Sequence, residues 1–336
     1  MTRPSAELLT AGASTVDLEL RPFDPDRDFP AMVDLITAVN HRDHVDYFPT
    51  PESLAVEWAR SPTFDPVRDH RVVEVDGRFL AAGGVDWRER AGKVIHHIEI
   101  WTHPDVRRQA LGRRLLAWSE GRARESFTDG SGGPLALPHF LGGGVQQTDV
   151  AGVGFATSAG YAPVRYGFVM RRPLDLPIPD APLPTGLEVR PVRPEDHRPI
   201  WEADTEAFLD HWEAPVRHEA DFVHTFGHPD VDTSLWQVAW DGDEVAGSVM
   251  NGIYRQENAQ VGLDVGWLDH VSVRRAWRGR GLGSALIVRS LAILRERGMS
   301  VASLGVDAEN PTGAVGLYER YGFRRHQTWV TYRKPL

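Results

Sequence analysis

The chain has 336 residues, 41% hydrophobic and 25% charged, with a formal net charge of −10 at pH 7 and no cysteine. That length asks for two domains, each large enough for a core of its own. The acidic balance argues against nucleic acid as a partner, and the lack of cysteine excludes disulfides, a thiol nucleophile and thiolate metal sites.

The opening residues Met1 to Glu7 carry no apolar targeting stretch, and no run approaches 18 apolar residues. A soluble, cytoplasmic protein without a membrane partner is expected, monomeric or homodimeric. The histidine pairs His41/His44, His96/His97 and His211/His218 lack a matched carboxylate set at ligand spacing, so no metal is expected.

Taken in order, the chain repeats itself. Glu19-Leu20-Arg21-Pro22 returns as Glu188-Val189-Arg190-Pro191. Around Asp76-Gly77 and again around Asp241-Gly242 the sequence reads as a hairpin with Asp-Gly as its turn. Residues 101–112 line up with 272–283, and Gly160-Tyr161 stands where Gly322-Phe323 stands. Two copies of one fold are the simplest account. In the first copy, residues 129–144 are glycine-rich and read as a mobile loop, and 111–124 as a helix. Residues 173–184 hold five prolines and read as an extended connector. The expected division is a first domain at 1–172, a linker at 173–185 and a second domain at 186–336.

In the second copy, residues 195–213 read as a helix carrying Glu202, Asp204, Glu206, Asp210 and Glu213 beside His211 and Trp212. The pattern suits an acidic, aromatic-edged wall for a cationic amine, or simply a solvated helix face. Then comes a strand through Val271, Ser272 and Val273. Four arginines (Arg274, Arg275, Arg278, Arg280) surround Gly279, Gly281 and Gly283. From Leu282 onward Leu286, Ile287, Leu291 and Leu294 recur at helical spacing, and Gly298 supplies a C-cap. A helix N-terminus with bare amides and local positive charge is an anion site. Gly283 is followed by Ser284-Ala285 with no lysine, so this is not a P-loop, and the glycine spacing is not that of a dinucleotide fingerprint. A second strand over 301–306 leads to Asn310-Pro311, which alone reads as an N-cap with proline at N1. Tyr318 alone reads as a packing aromatic.

Arg278, Gly281 and Gly283 fill Arg-x-x-Gly-x-Gly, which resembles the pyrophosphate loop of the Gcn5-related N-acetyltransferase (GNAT) superfamily. Asn310, Leu317, Tyr318, Gly322 and Phe323 resemble that family's second hallmark, one helix and one strand later. The resemblance implies an α/β (α+β) fold of two tandem GNAT-like domains. Each is a mixed, mostly antiparallel twisted sheet flanked by helices, in which the strands ending near 273 and 306 run parallel and splay apart. It further implies acetyl-CoA as co-substrate, held by Val271, Ser272, Val273, Arg278, Gly279, Arg280, Gly281, Leu282, Gly283, Ser284 and Asn310. Tyr318 would be the acid that protonates the departing thiolate. The first copy departs from the pattern, with Ala110 for the middle glycine and Ala156 at the position of Tyr318, and reads as degenerate.

For the base, strand alternation puts Asp269 on the face of Val271 and Val273, with His270 on the opposite face as a packed or surface residue. Asp269 is the expected base, although it would serve equally as a structural anchor. The expected activity is direct acetyl transfer to the primary amine of a small molecule, with no acyl-enzyme. The alternative is a non-catalytic acyl-CoA-binding or sensing protein.

Overall fold

The computed structural model describes residues 18–310 and 313–336. The opening residues Met1 to Glu7, and Pro311 of the expected N-cap, lie outside the described residues. The chain divides into two compact units. One comprises the chain to Gly143 with Ala156–Ala162 and Tyr332–Leu336, and the other Gly144–Phe155 with Pro163–Thr331.

In the first unit β1 (Arg21–Pro22), β2 (His70–Val75), β3 (Arg78–Arg90), β4 (Lys93–Thr102) and β5 (His139–Gln146) lie side by side in that order. The pairs are antiparallel except β4–β5, which is parallel. Helices α1 (Phe29–Asp43), α2 (Pro51–Ala59), α3 (Pro66–Asp69) and α4 (Leu111–Asp129) belong to this unit, and α5 (Val150–Ser158) follows β5. The Asp76-Gly77 turn joins β2 to β3 with both residues at positive φ, 50° and 76°, which is the hairpin geometry that asparagine, aspartate and glycine favour.

The glycine-rich stretch is not a loop throughout. Gly142, Gly143 and Gly144 lie inside β5. A Cβ on Gly142 would come within 2.5 Å of the Arg333 guanidinium, and one on Gly133 within 2.9 Å of Trp87. Close approach of neighbours, rather than mobility, accounts for these glycines.

The second unit is built from β6 (Ala162–Pro173), β7 (Glu188–Arg190), β8 (Gln237–Asp241), β9 (Glu244–Gly252), β10 (Val265–Val273), β11 (Val301–Asp307) and β12 (Arg324–Pro335) up to Thr331, the rest of β12 belonging to the first unit. Their order is β12-β6-β11-β10-β9-β8-β7, with β10–β11 parallel. Helices α6 (His197–Phe208), α7 (Glu219–Gly227), α8 (Arg255–Val261), α9 (Leu282–Glu296) and α10 (Ala314–Arg320) complete it. One apolar cluster joins Leu282, Leu286, Leu291 and Leu294 of α9 to Val249, Leu268, Leu304 and Phe323. The other joins Ile200 and Ala203 of α6 to Trp236, Val238 and Met250. The hairpin turn here is Gly242-Asp243, one residue later than the Asp-Gly reading places it.

The strand that covers the outer edge of β11 is β6, which precedes the proline-rich stretch in the chain. It pairs antiparallel from Val301↔Pro173 to Asp307↔Gly167. The stretch that follows has no regular element before Glu188, yet it is packed rather than free. Leu174 is buried, and Ile178 and Leu183 rest on the α9 core. The buried Arg172 guanidinium donates to the carbonyls of Pro173, Leu176, Pro177 and Tyr321.

Among the described residues no helix is long and apolar enough to cross a membrane, and no cluster of three or more His, Asp or Glu stands ready for a metal. Because β6 lies outside residues 186–336, a chain cut to those residues exposes the whole edge of β11. It is expected to aggregate and to lack a cooperative thermal transition. A sharp, reversible transition by circular dichroism would contradict this.

Candidate active site

The site begins where β10 and β11 part. They pair from Val265↔Val301 to Leu268↔Leu304 and no further, although β10 runs on to Val273 and β11 to Asp307. β11 stays with β6 to its end, while β10 stays with β9. The expected splay is present. The amide of Arg274 donates to Ala246 O across β9–β10 at 3.0 Å. Bonded and non-bonded pairs alternate along an antiparallel ladder. The amides of His270 and Ser272 therefore face β9, and those of Val271 and Val273 face the gap. Ser272 turns its side chain inward as well, 3.1 Å from Ser248 Oγ, and presents nothing to the gap.

Beyond β10 the chain makes a 3-10 turn (Arg275–Trp277), then places Gly279 at φ 73° and Gly281 at φ 88°. A Cβ on either would meet no atom within 4 Å. Their role is conformational, since left-handed backbone costs other residues about 1–2 kcal/mol, and the space above them is open. Gly281 is the N-cap of α9, so the amides of Leu282, Gly283 and Ser284 have no helical acceptor. The Leu282 side chain itself is buried in the core. Bare amides at a helix N-terminus suit an anionic group.

The arginines divide their tasks. Arg278 donates from Nε to Val273 O at 2.9 Å, from Nη1 to Asp210 at 2.6 Å and from Nη2 to Ala207 O at 3.1 Å. The structure thus makes Arg278 a brace between β10, the loop and α6. Arg275 also bonds Asp210, and together Arg275 and Arg278 hold that carboxyl well below its usual range. Arg274 pairs with Glu206. Arg280 is exposed and makes no hydrogen bond or ion pair among the described residues, so its charge is available to a ligand.

A β-bulge overturns the alternation argument for Asp269. The register slips between Leu268, opposite Asn251, and His270, opposite Met250. Leu268 and Val271 both join the α9 core, while Met250 joins the α6 core. Residues directly opposite each other share a face, so His270 faces α6. Asp269 reaches the same side: its Oδ2 lies 2.5 Å from where a Cβ on Gly252, the partner of Trp267, would stand. Asp269 and His270 therefore stand together on the α6 face, opposite Val271 and Val273.

Asp269 keeps an exposed surface but has protein mass on its other sides, and burial pushes its carboxyl up to about 6. The Tyr254 hydroxyl donates to its Oδ2 at 2.9 Å and opposes part of that rise. His270 Nδ1 is 2.9 Å from Asp204 Oδ2, which also accepts from Arg217 Nη1 at 2.9 Å. Burial pushes Asp204 up and His270 down, but their mutual attraction outweighs it, lowering the carboxyl and raising the imidazole. The His270 side chain is 37% exposed, and Nε2 has no hydrogen-bond partner among the described residues. Nothing in the sequence pattern hints at Arg217 or Tyr254, and Asp204 reads there only as one acid of the 195–213 wall. The available signal was an acid at position 204 among Ile200, Ala203 and Ala207, the buried face of α6.

Other expectations are refined. α6 ends at Phe208, so Asp210, His211, Trp212 and Glu213 follow it in a turn, with Glu213 at φ 45°. The acidic wall is largely neutralised, because Asp204, Glu206 and Asp210 are each paired with arginine. Asn310 does not cap α10. Gly313, at φ 72°, does, and Asn310 accepts its amide in a turn. Tyr318 is buried against Phe323, and burial pushes its hydroxyl up to about 12.

The first unit repeats much of this. β4 pairs with β5 only from Val94↔His139 to His97↔Gly142, though β4 continues to Thr102. Arg107 bonds Thr102 O and Asp43 as Arg278 bonds Val273 O and Asp210. Arg108 and Ala110 keep the positive φ of Gly279 and Gly281, at 65° and 67°. The bulge is absent there, since β3 and β4 pair without a slip.

Residues 34–130 and 197–323 match the family described as Acetyltransferase (GNAT) family. A mycothiol acetyltransferase of Salinispora arenicola is 34% identical over 241 residues, 70% of this chain and 72% of that protein. Among solved structures, a GCN5-related N-acetyltransferase from Sphaerobacter thermophilus is 27% identical with a TM-score of 0.68, covering 95% of each chain. A tandem GNAT protein of the clavulanic acid biosynthesis pathway is 17% identical, with a TM-score of 0.65 over 95% of this chain and 98% of its own. It speaks for the fold alone.

Proposed function

This chain belongs to the acetyltransferase (GNAT) family and is an N-acetyltransferase, and from that premise we propose that its second copy transfers acetyl from acetyl-CoA directly to the primary amine of a small molecule. The observation that carries the reading is the bulge, which turns Asp269 to the α6 face just where β10 parts from β11.

Acetyl-CoA supplies an activated acyl carbon and a thiolate leaving group. The chain's residues do the rest. The amides of Gly279 to Ser284, with Arg280, receive the diphosphate, while Asn310 flanks the arm between it and the acyl group. An amine is almost wholly protonated at neutral pH, so Asp269 takes one proton from the ammonium and frees the lone pair. The nitrogen–carbon bond forms as the carbon–sulfur bond breaks. The gap-facing amide of Val271 or Val273 meets the charge that gathers on the carbonyl oxygen. Tyr318, kept protonated by burial, gives its proton to sulfur and recovers one from the nitrogen. Of the ammonium's three protons, one stays in the amide, one ends on sulfur and one on Asp269.

Retention of Tyr318 speaks against the reading as a sensor that only binds, since binding alone needs no acid. The first copy supports placing the chemistry in the second, as it has Ala156 in place of Tyr318 and no bulge.

Asp269 acts only when ionised, so kcat/KM is expected to fall as pH drops through about 6 and to level off above it. Asp269→Asn should remove that limb and lower the plateau by about 10²–10⁴-fold. An unchanged profile would contradict the assignment. Tyr318→Phe should lower kcat by about 10²-fold or more while leaving acetyl-CoA affinity intact. Full turnover in the variant would remove Tyr318 from the mechanism.

A further inference from the structure

Resting on that reading, we propose that the acceptor is an α-amino acid, or a molecule that ends in one, with its ammonium on Asp269 and its carboxylate on His270. The first support is adjacency. Asp269 and His270 are consecutive, with Cα atoms about 3.8 Å apart, and the bulge turns both to the α6 face where alternation would have opposed them. A ligand that carries an ammonium and a carboxylate on one carbon has the two groups to match this neighbouring pair.

The second support is which atoms each residue has left. Tyr254 occupies Oδ2 of Asp269, leaving Oδ1 to accept from an ammonium. Asp204 occupies Nδ1 of His270, which directs the exposed Nε2–H outward as a donor to an anion. Arg217 and Asp204 neutralise one another behind the ring, so the face offers the Nε2–H of His270 as a donor beside the Asp269 carboxylate.

The third is the surrounding charge. Tyr254 and Glu257 stand on the Asp269 side, where Glu257 accepts from the Trp267 indole at 3.2 Å. Asp204, Arg217 and the exposed His211 stand on the His270 side. Glu206 and Asp210 are spent on arginines. A simple cationic amine would meet Asp269 but leave the Nε2–H of His270 without an acceptor, whereas a zwitterion satisfies both groups. Carboxylate recognition is thus selected for attractively and the bare amine is selected against. Phe208 lies 5.1 Å from the His270 ring and 4.2 Å from His211, giving the acceptor's side chain an aromatic border.

The test compares phenylalanine with phenethylamine, its decarboxylated counterpart, by CoA release from the full chain with saturating acetyl-CoA. The wild type should prefer phenylalanine by about tenfold or more in kcat/KM, the worth of one charged hydrogen bond. In His270→Gln that ratio should fall to near one. A damaged fold would lower both rates and leave the ratio standing, so a preference that survives in His270→Gln overturns the role of His270. Equal or better use of phenethylamine by the wild type overturns the zwitterion proposal and leaves the acetyltransferase reading intact. Acetyl-CoA binding without turnover of either compound likewise overturns the proposed acceptor class. Failure to bind acetyl-CoA at all, read by calorimetry on the same sample, overturns the reading beneath it.

Discussion

Everything at the site depends on β10 and β11 ceasing to pair after Leu268 and Leu304 while both strands continue. A parallel pair that parts leaves backbone amides unpaired on the inner edges, which is costly unless the strands are held from outside and the gap is used. The first condition is visible. β6 holds β11 over Gly167–Pro173, and β9 holds β10 to Val273. At the head of the gap, Gly279 and Gly281 curl the chain into α9, whose first amides have no helical acceptor. Arg278 ties the end of β10 to the end of α6 and thereby fixes the rim.

The first copy shows which of these features are scaffold and which are chemistry. It keeps the parted parallel strands, the arginine brace on Asp43 and the left-handed loop, the last with Arg108 and Ala110 where glycine would be unstrained. Non-glycine residues in that conformation persist only where the surroundings dictate it. What it lacks is the bulge and the tyrosine. The loop shape therefore belongs to the repeat's architecture, while the turned-out Asp269 and His270 and the buried Tyr318 distinguish the second copy, to which we assign the reaction.

Much of this was legible because it rests on local rules. Positive-φ glycines, the apolar stripe from Leu282 to Leu294, and alternation through Val271 and Val273 each declare themselves within a few residues. The repeat itself emerged from Arg21-Pro22 and Arg190-Pro191 and from the two turn signals. What stayed hidden depends on partners distant in the chain. The bulge at Asp269 arises because β9 offers consecutive residues, Asn251 and Met250, where β10 spends three, and neither strand's own pattern records that mismatch. Asp204, Arg217 and His270 meet only once α6 and its following loop fold over β10. The role of β6 was hidden likewise, since a strand before the proline-rich stretch reads as belonging to the first copy.

The most direct test is a calorimetric titration of acetyl-CoA into the wild type and into Gly281→Val, where a β-branched residue cannot hold φ 88° without strain. The account predicts that the substitution weakens or abolishes acetyl-CoA binding to the second copy. An isotherm identical to that of the wild type would contradict it and move the cofactor away from the α9 cradle.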